Sequence, residues 1–356
     1  MNTGATFTPV PAPVPARAFP LGRRRAILVA VVLLAVAGVL VVLLDWPEVQ
    51  GVIGRASWRL VLPALAITAF SYLCLSWSFG LVNQAFGVRP GQWILLGVGF
   101  VSSAMIAAVG RVAGHSLRLL LMVRRGVAAS DAMAPSLFHG YLESVIFFAM
   151  IPGGLAYLVF THPLSPRLAL TLGTGAGVLG VAFAVTAVVF FVRPVRAVAL
   201  RLVGLTWRLV LRRDLDAGLR SFEATLVRGL AEVRRRPLSL VLPVLLILAD
   251  RLSRVVVVWF CFEALGGQVD LGVVVTGFAI GVVAGVMSMV PGGLGVQEGT
   301  MAGVYHLLGV SLEQAVLVSL LFRLVYYMVP LAVSLVFYWH VLRVGSSEPP
   351  ASAEVA

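Results

Sequence analysis

The chain has 356 residues, of which 60% are hydrophobic and 12% are charged, and its mean hydropathy is +1.01. Because soluble proteins carry about 25% charged residues, this composition excludes an ordinary soluble domain. It predicts an all-α, polytopic membrane protein. The net charge is +12 and all basic residues are arginines, so lysine Schiff-base chemistry is excluded as well.

The N-terminal residues 1–22 are rich in proline and alanine, which predicts a disordered cytoplasmic tail. Three arginines at 23–25 precede an apolar run at 26–44, and we interpret this run as a first spanning helix whose N-terminus is cytoplasmic. The membrane domain is expected at 23–344 and a disordered tail at 345–356. Further apolar runs, each near the roughly 18–20 residues that cross a bilayer, lie at 60–83, 92–109, 133–160, 168–192, 238–264, 271–290 and 313–341.

The charge distribution decides between topologies. Residues 193–237 contain eleven arginines and four acids, and basic loops stay in the cytoplasm. Five full crossings would place this segment outside. The conflict disappears if 92–122 enters and leaves on one side, with a break at 109–118. A second hairpin at 271–309 then gives six crossings plus two re-entrant hairpins as an inverted repeat; eight full spans are the alternative.

The basic segment itself mixes arginines with apolar residues such as Val198, Leu202 and Leu205. This pattern favours one or two helices lying on the inner leaflet, attracted by anionic lipid. The alternative is a solvated connector. Nucleic acid is not an expected partner, because topology already explains the arginines.

The stretch PGGLGVQEG at 291–299 predicts a helix break. Glycines allow tight turns and close approach, and proline removes an amide donor. In hydrocarbon such backbone is tolerated where it is buried in protein or lines a wet cavity. We therefore interpret the stretch as an intramembrane break that presents Glu298; a surface loop with Glu298 solvated is the alternative.

Charged residues also interrupt the apolar runs. Asp250 and Arg254 are four residues apart and can pair along one helix face, whereas Arg251 points about 100° away from Asp250. Arg118 is placed nearer the interface. Because the planar guanidinium matches phosphate, we expect a cluster with unpaired charges to bind an anionic headgroup. The predicted substrate-binding residues are Arg111, His115, Arg118, Glu143, Asp250, Arg251, Arg254, Pro291, Gly292, Gly293, Gly295, Gln297, Glu298 and Arg323.

Enzyme chemistry has little support. Cys74 and Cys261 lie in apolar runs and are expected to be small buried side chains. The five histidines lack metal-ligand spacing, and no HExxH, GxSxG or P-loop pattern occurs. We therefore expect no metal, no cofactor and no catalytic residue.

The motifs carry a resemblance to a known family. The Pro-Gly-Gly-x-Gly-x-x-Glu run, then Gly309-Val310 and Arg323, resembles the transmembrane region of bacterial lysylphosphatidylglycerol synthases and related stand-alone membrane proteins. The first hairpin resembles the family's Pro-Gly-Arg-x-Gly-Glu-like stretch less closely. Val109 stands where proline is usual, the spacing is one residue longer, and His115 replaces the acid.

The resemblance implies a lipid-handling domain, without the soluble aminoacyltransferase domain of the synthases. We expect a flippase- or scramblase-like protein of the bacterial inner membrane, with both termini cytoplasmic, that moves an anionic phospholipid between leaflets. Two alternatives are open: an accessory protein or enzyme in polyprenyl-linked glycan or lipid biosynthesis, and a small-solute secondary transporter. Candidate protein partners are a second copy of the chain and a glycosyltransferase or lipid-modifying enzyme.

Overall fold

The computed structural model describes residues 46–161, 166–211, 216–288 and 290–343, all within a unit spanning Asp45–Ala356. Throughout these ranges the regular structure is helical and contains no strand. The all-α prediction is therefore confirmed for this part of the chain. The predicted first span at 26–44 and the two predicted tails lie outside the described residues.

The first half of the described chain forms helices where the apolar runs predicted them. A nine-residue helix, which the sequence did not predict, comes first, and its Val49 and Val52 side chains are buried. The helices are α1 (Trp46–Gly54), α2 (Val61–Ala85), α3 (Gln92–Ala108), α4 (Arg111–Arg124), α5 (Ala129–Thr161) and α6 (Pro166–Phe191).

The basic segment forms two helices, α7 (Arg193–Leu211) and α8 (Asp216–Arg235). Helix α8 packs on α5, where Phe222 and Leu226 join Phe86 and Phe138 in one hydrophobic cluster. Helix formation in this segment agrees with the sequence, while its position on the inner leaflet stays a prediction.

The second half repeats the order long helix, paired shorter helices, long helix. The last long helix is interrupted by one wide π-helical turn at Leu324–Met328. The elements are α9 (Val241–Ala264), α10 (Leu271–Met287), α11 (Val296–Leu307), α12 (Leu312–Arg323) and α13 (Val329–Arg343).

The break in the first hairpin is shorter than the sequence predicted. We expected it at 109–118, but only Val109 and Gly110 separate α3 from α4. Gly110 has φ 126°, a conformation that glycine adopts without the cost of a Cβ, so one residue is enough to redirect the chain. His115 and Arg118 are consequently helical and lie on α4.

The helices pack around a central pair formed by α2 and α9. Around this pair, α13 contacts α3, and α5 contacts α10. Among the described helices, Trp58–Ala85 and Leu312–Val336 are long and apolar enough to cross a membrane. Helices α3 and α10 are apolar but have only 17 residues each.

Candidate functional site

The two helix breaks meet each other. A Cβ atom placed on Gly110 would lie 3.3 Å from the backbone nitrogen of Gly292. Gly292 has φ 64°, and a Cβ there would overlap the carbonyl oxygen of Ala108 at the end of α3. The first break therefore rests directly on the second, and only glycine fits at this contact.

Arg323 holds the second break in place. Its Nη1 donates to Glu298 Oε1 at 2.6 Å, and its Nη2 donates to the Gly292 carbonyl oxygen at 2.9 Å. The guanidinium also lies over the Tyr327 ring, 4.6 Å from the centroid. Glu298 Oε2 in turn accepts from the Gly295 backbone nitrogen at 2.8 Å. Glu298 and Arg323 thus neutralise each other and fix the turn.

The other residues predicted in this stretch also shape the break. Pro291 starts its short 3-10 turn, Pro291–Gly293. Gln297 is buried on α11 and donates to the Tyr327 hydroxyl at 2.9 Å. A Cβ on Gly293 would lie 3.1 Å from the Gly285 Cα atom, so this glycine lets the turn lie against α10. Together with Gly295 (φ 78°), these residues build the turn.

A buried ion network crosses the centre of the fold. Arg251 on α9 contacts Glu143 of α5 at 3.1 Å and the adjacent Asp250 at 3.0 Å. Arg254 also contacts Asp250, at 3.0 Å, so the predicted pairing of these two residues is confirmed. Asp250 further accepts from Ser71 at 2.6 Å and from Tyr326 at 2.9 Å.

Two expectations about this network were wrong. On an ideal helix the Arg251 side chain points away from Asp250, so we expected no contact between the two. The arginine side chain is nevertheless long enough for its guanidinium group to contact the Asp250 carboxylate. The interior cluster was expected to hold unpaired charges, with the arginines in slight excess over the acids. Instead, Arg251, Arg254 and Arg323 each contact a carboxylate, because charges buried in protein are retained mainly where they are paired.

His139 is a member of this network that the sequence interpretation did not select. It is fully buried, its Nδ1 lies 3.0 Å from Glu143, and its Nε2 lies 3.1 Å from the Ser78 hydroxyl. The available signal was its position four residues before Glu143, which places both side chains on one helix face.

Arg111 faces a partly open cleft of about 160 Å³. Its Nη1 donates to the Ser144 hydroxyl of α5 at 3.3 Å. Apart from Arg111 and Ser144, the cleft is lined by apolar side chains, namely Phe147, Phe148, Val283 and Val286. A guanidinium on an apolar wall suits an amphiphile with an anionic group.

Arg118 lies deeper in the same hairpin. We placed it nearer the interface, but the structure encloses it fully between helices. Its Nε donates to Ser102 at 2.9 Å, and the guanidinium lies 4.2 Å from the centroid of the Phe79 ring. His115 is half-buried one turn away on α4, and its ring faces Gly140 of α5.

The site thus has a positive excess at one place. Of the predicted arginines, Arg251, Arg254 and Arg323 each contact a carboxylate, whereas within the described residues neither Arg111 nor Arg118 does. The structure brings Arg111, His115 and Arg118 together on α4, beside Glu143. The Glu298–Arg323 pair belongs to the second break, on which Gly110, the residue before Arg111, rests.

Comparison with known proteins gives one match. The family model described as "Lysylphosphatidylglycerol synthase TM region" matches residues 27–334. The match includes both breaks, the ion network and the cleft. No curated protein matches the chain.

Proposed function

We propose that this chain, which belongs to the lysylphosphatidylglycerol synthase transmembrane-region family, moves an anionic phospholipid or related amphiphile between the leaflets of the bacterial inner membrane. The family makes the chain a membrane protein tied to lipid handling. Lipid movement between the leaflets and the anionic class of that lipid go beyond the family match.

One observation carries the proposal: an unpaired guanidinium faces an apolar cleft beside the point where the two breaks meet. Arg111 begins α4 directly after Gly110, and Gly110 touches the second break. Polar backbone at a helix break and an arginine without a carboxylate partner offer hydrogen bonds to a phosphate, while the aromatic and valine side chains of the cleft suit acyl chains.

Helix lengths support re-entrant hairpins. At 1.5 Å per residue, a 17-residue helix such as α3 or α10 spans about 26 Å, less than the roughly 30 Å of a hydrocarbon core. Their partners α4 and α11 are shorter, with 14 and 12 residues. Each pair therefore fits a hairpin that turns back within the membrane.

The packing supports an inverted repeat. In the proposed repeat, α2 corresponds to α9, α3 to α10, and α5 to α12 with α13. The contact between α3 and α13 then has its counterpart in the contact between α10 and α5. Two such halves would bring their broken segments to one place near the membrane centre.

In the proposed mechanism Arg111 binds the headgroup phosphate and Ser144 orients the guanidinium. The acyl chains stay against the apolar cleft and in lipid. The paired network of Glu143, Asp250 and Arg251 keeps α5 and α9 together while the headgroup passes along the first hairpin.

The test uses purified protein in vesicles that contain fluorescently labelled phosphatidylglycerol. We expect faster transbilayer movement than in protein-free vesicles, and Arg111→Gln slowing it about tenfold, since a charge-assisted hydrogen bond contributes about 1.5–3 kcal/mol. Arg124→Gln, at the exposed end of the same helix, is the matched control and should keep the wild-type rate.

Equal rates with and without protein would refute lipid transport. Labelled polyprenyl phosphate in place of phospholipid tests the glycan-biosynthesis alternative, in which a glycosyltransferase or lipid-modifying enzyme is the partner. Movement of that lipid alone would replace the phospholipid with a polyprenyl carrier as the substrate.

A further inference from the structure

Arg118 is a buried cation whose hydrogen-bonding groups are incompletely used. Its Nε bonds to Ser102, but no acceptor among the described residues lies within hydrogen-bond distance of Nη1 or Nη2. The residue is completely enclosed. A buried guanidinium with two unused nitrogens is costly, because the described side chains do not replace the solvation that it loses on burial.

The surrounding acids do not resolve this deficit. Glu143 acts on Arg118 only through longer-range electrostatics, because its two oxygens contact His139 and Arg251. On the other side of the guanidinium lies the Phe79 ring. The two free nitrogens therefore lack an anion among the side chains that the structure describes.

Arg118 also lies on the same face of α4 as the cleft residue. Arg111, His115 and Arg118 are separated by four and three residues, the spacing that puts side chains on one side of a helix. Arg111 opens to the cleft, His115 is half-buried, and Arg118 is enclosed. The face thus leads from an accessible cation to a buried one.

We propose that Arg118 forms a second, inner anion site that receives a phosphate group through Nη1 and Nη2 after it leaves Arg111. This inference rests on the proposed lipid transport. A guanidinium whose outer edge carries two free donors matches two phosphate oxygens. The phosphate comes from a lipid headgroup or from free inorganic phosphate, and both sources share this chemistry.

The experiment measures ligand-induced shifts of the melting temperature in detergent, in an Arg111→Gln background that removes the outer site. A ligand that binds the folded state raises this temperature. We expect short-chain phosphatidylglycerol to raise the melting temperatures of Arg111→Gln and Arg111→Gln/Arg124→Gln by the same amount. In Arg111→Gln/Arg118→Gln the apparent affinity should fall about tenfold or more, as expected for lost charge-assisted hydrogen bonds.

Inorganic phosphate alone forms the second arm. A shift with phosphate identifies the free anion as a sufficient ligand, and a shift with the lipid only identifies the headgroup. Ser102→Ala in the same background removes the Nε bond and should weaken binding less than Arg118→Gln does.

The inner site is refuted if neither ligand raises the melting temperature of Arg111→Gln. It is also refuted if adding Arg118→Gln to that background leaves the increase unchanged. A merely structural Arg118 would also lower the ligand-free melting temperature when replaced, whereas loss of an unpaired buried charge should not. If vesicles with wild-type protein move lipid but the melting-temperature experiment shows no binding at Arg118, the proposed transport function stands and only the inner anion site is refuted.

Discussion

At the scale of single residues, pairing decides which charged side chains are free to meet a ligand. Glu298 and Arg323 were equal candidates with Arg111 in the sequence, because all three are charges in apolar surroundings. The structure separates them: Glu298 and Arg323 satisfy each other and the backbone of the break, while Arg111 reaches only a hydroxyl.

The Glu298–Arg323 pair should behave as a structural unit. Arg323→Gln leaves Glu298 buried without its cation, and such a loss costs about 3–5 kcal/mol, so a clear drop in melting temperature is expected. Glu298→Gln/Arg323→Gln should lose less than the sum of the two single variants. Thermal unfolding in detergent measures all three, and strictly additive losses would show that the pair is not coupled.

Asp250 should matter more than an exposed acid. It contacts Arg251, Arg254, Ser71 and Tyr326. Asp250→Asn therefore leaves Arg254 without a counter-charge and Arg251 with Glu143 alone, and we expect a lower melting temperature. The control is Glu232→Gln, whose pair with Arg236 is exposed and should change stability by less than about 1 kcal/mol. Equal effects of the two substitutions would contradict this role of Asp250.

At the scale of helices, the contact between the breaks depends on missing side chains. The sequence predicted both breaks from glycine and proline. Pro291, Gly292, Gly293 and Gly295 do lie in the second break, but it ends where α11 begins at Val296, so that the predicted bound at residue 299 was too long. The length of the first break was overestimated, because Gly114 was interpreted as part of it. In the structure Gly114 lets Ile106 of α3 approach α4 closely. The sequence alone cannot distinguish a glycine that allows close helix packing from a glycine that allows a turn.

Gly292→Ala should therefore disrupt the junction of the two hairpins. The left-handed conformation costs a non-glycine residue about 1–2 kcal/mol, and the added methyl group would overlap the Ala108 carbonyl oxygen. We expect a lower melting temperature and slower lipid movement. Gly303→Ala on α11, where open space surrounds the site, should be neutral or stabilising. If Gly292→Ala kept the wild-type melting temperature and rate of lipid movement, the two breaks would not need this contact.

At the scale of the whole molecule, the sequence predicted the helices well and the network poorly. Apolar run length determines helix bounds, as the agreement of the run at 238–264 with α9 shows. Which acid an arginine meets depends on how helices pack: Glu143 and Arg251 are 108 residues apart. Arg118 illustrates the same limit, because its burial follows from the packing of α2, α3 and α4.

The predicted topology can be tested by accessibility labelling. Cys74 and Cys261 are free and buried, so single cysteines can be read against a Cys74→Ala/Cys261→Ala background. Re-entrant hairpins predict that Arg89→Cys and Ala128→Cys, on the two sides of the first hairpin, react from the cytoplasm, whereas Gln268→Cys reacts from the periplasm. Labelling of positions 89 and 128 from opposite faces would instead support eight full spans.

The wide turn at Leu324–Met328 gives the last long helix a place where its winding can change. Tyr326 hydrogen-bonds Asp250 and Tyr327 binds Gln297, so neighbouring residues of this turn reach the ion network and the second break. Tightening the turn by one residue would swivel α13 by about 100°. Because α13 packs against α3, such a rotation would change the surface that α13 presents to the first hairpin.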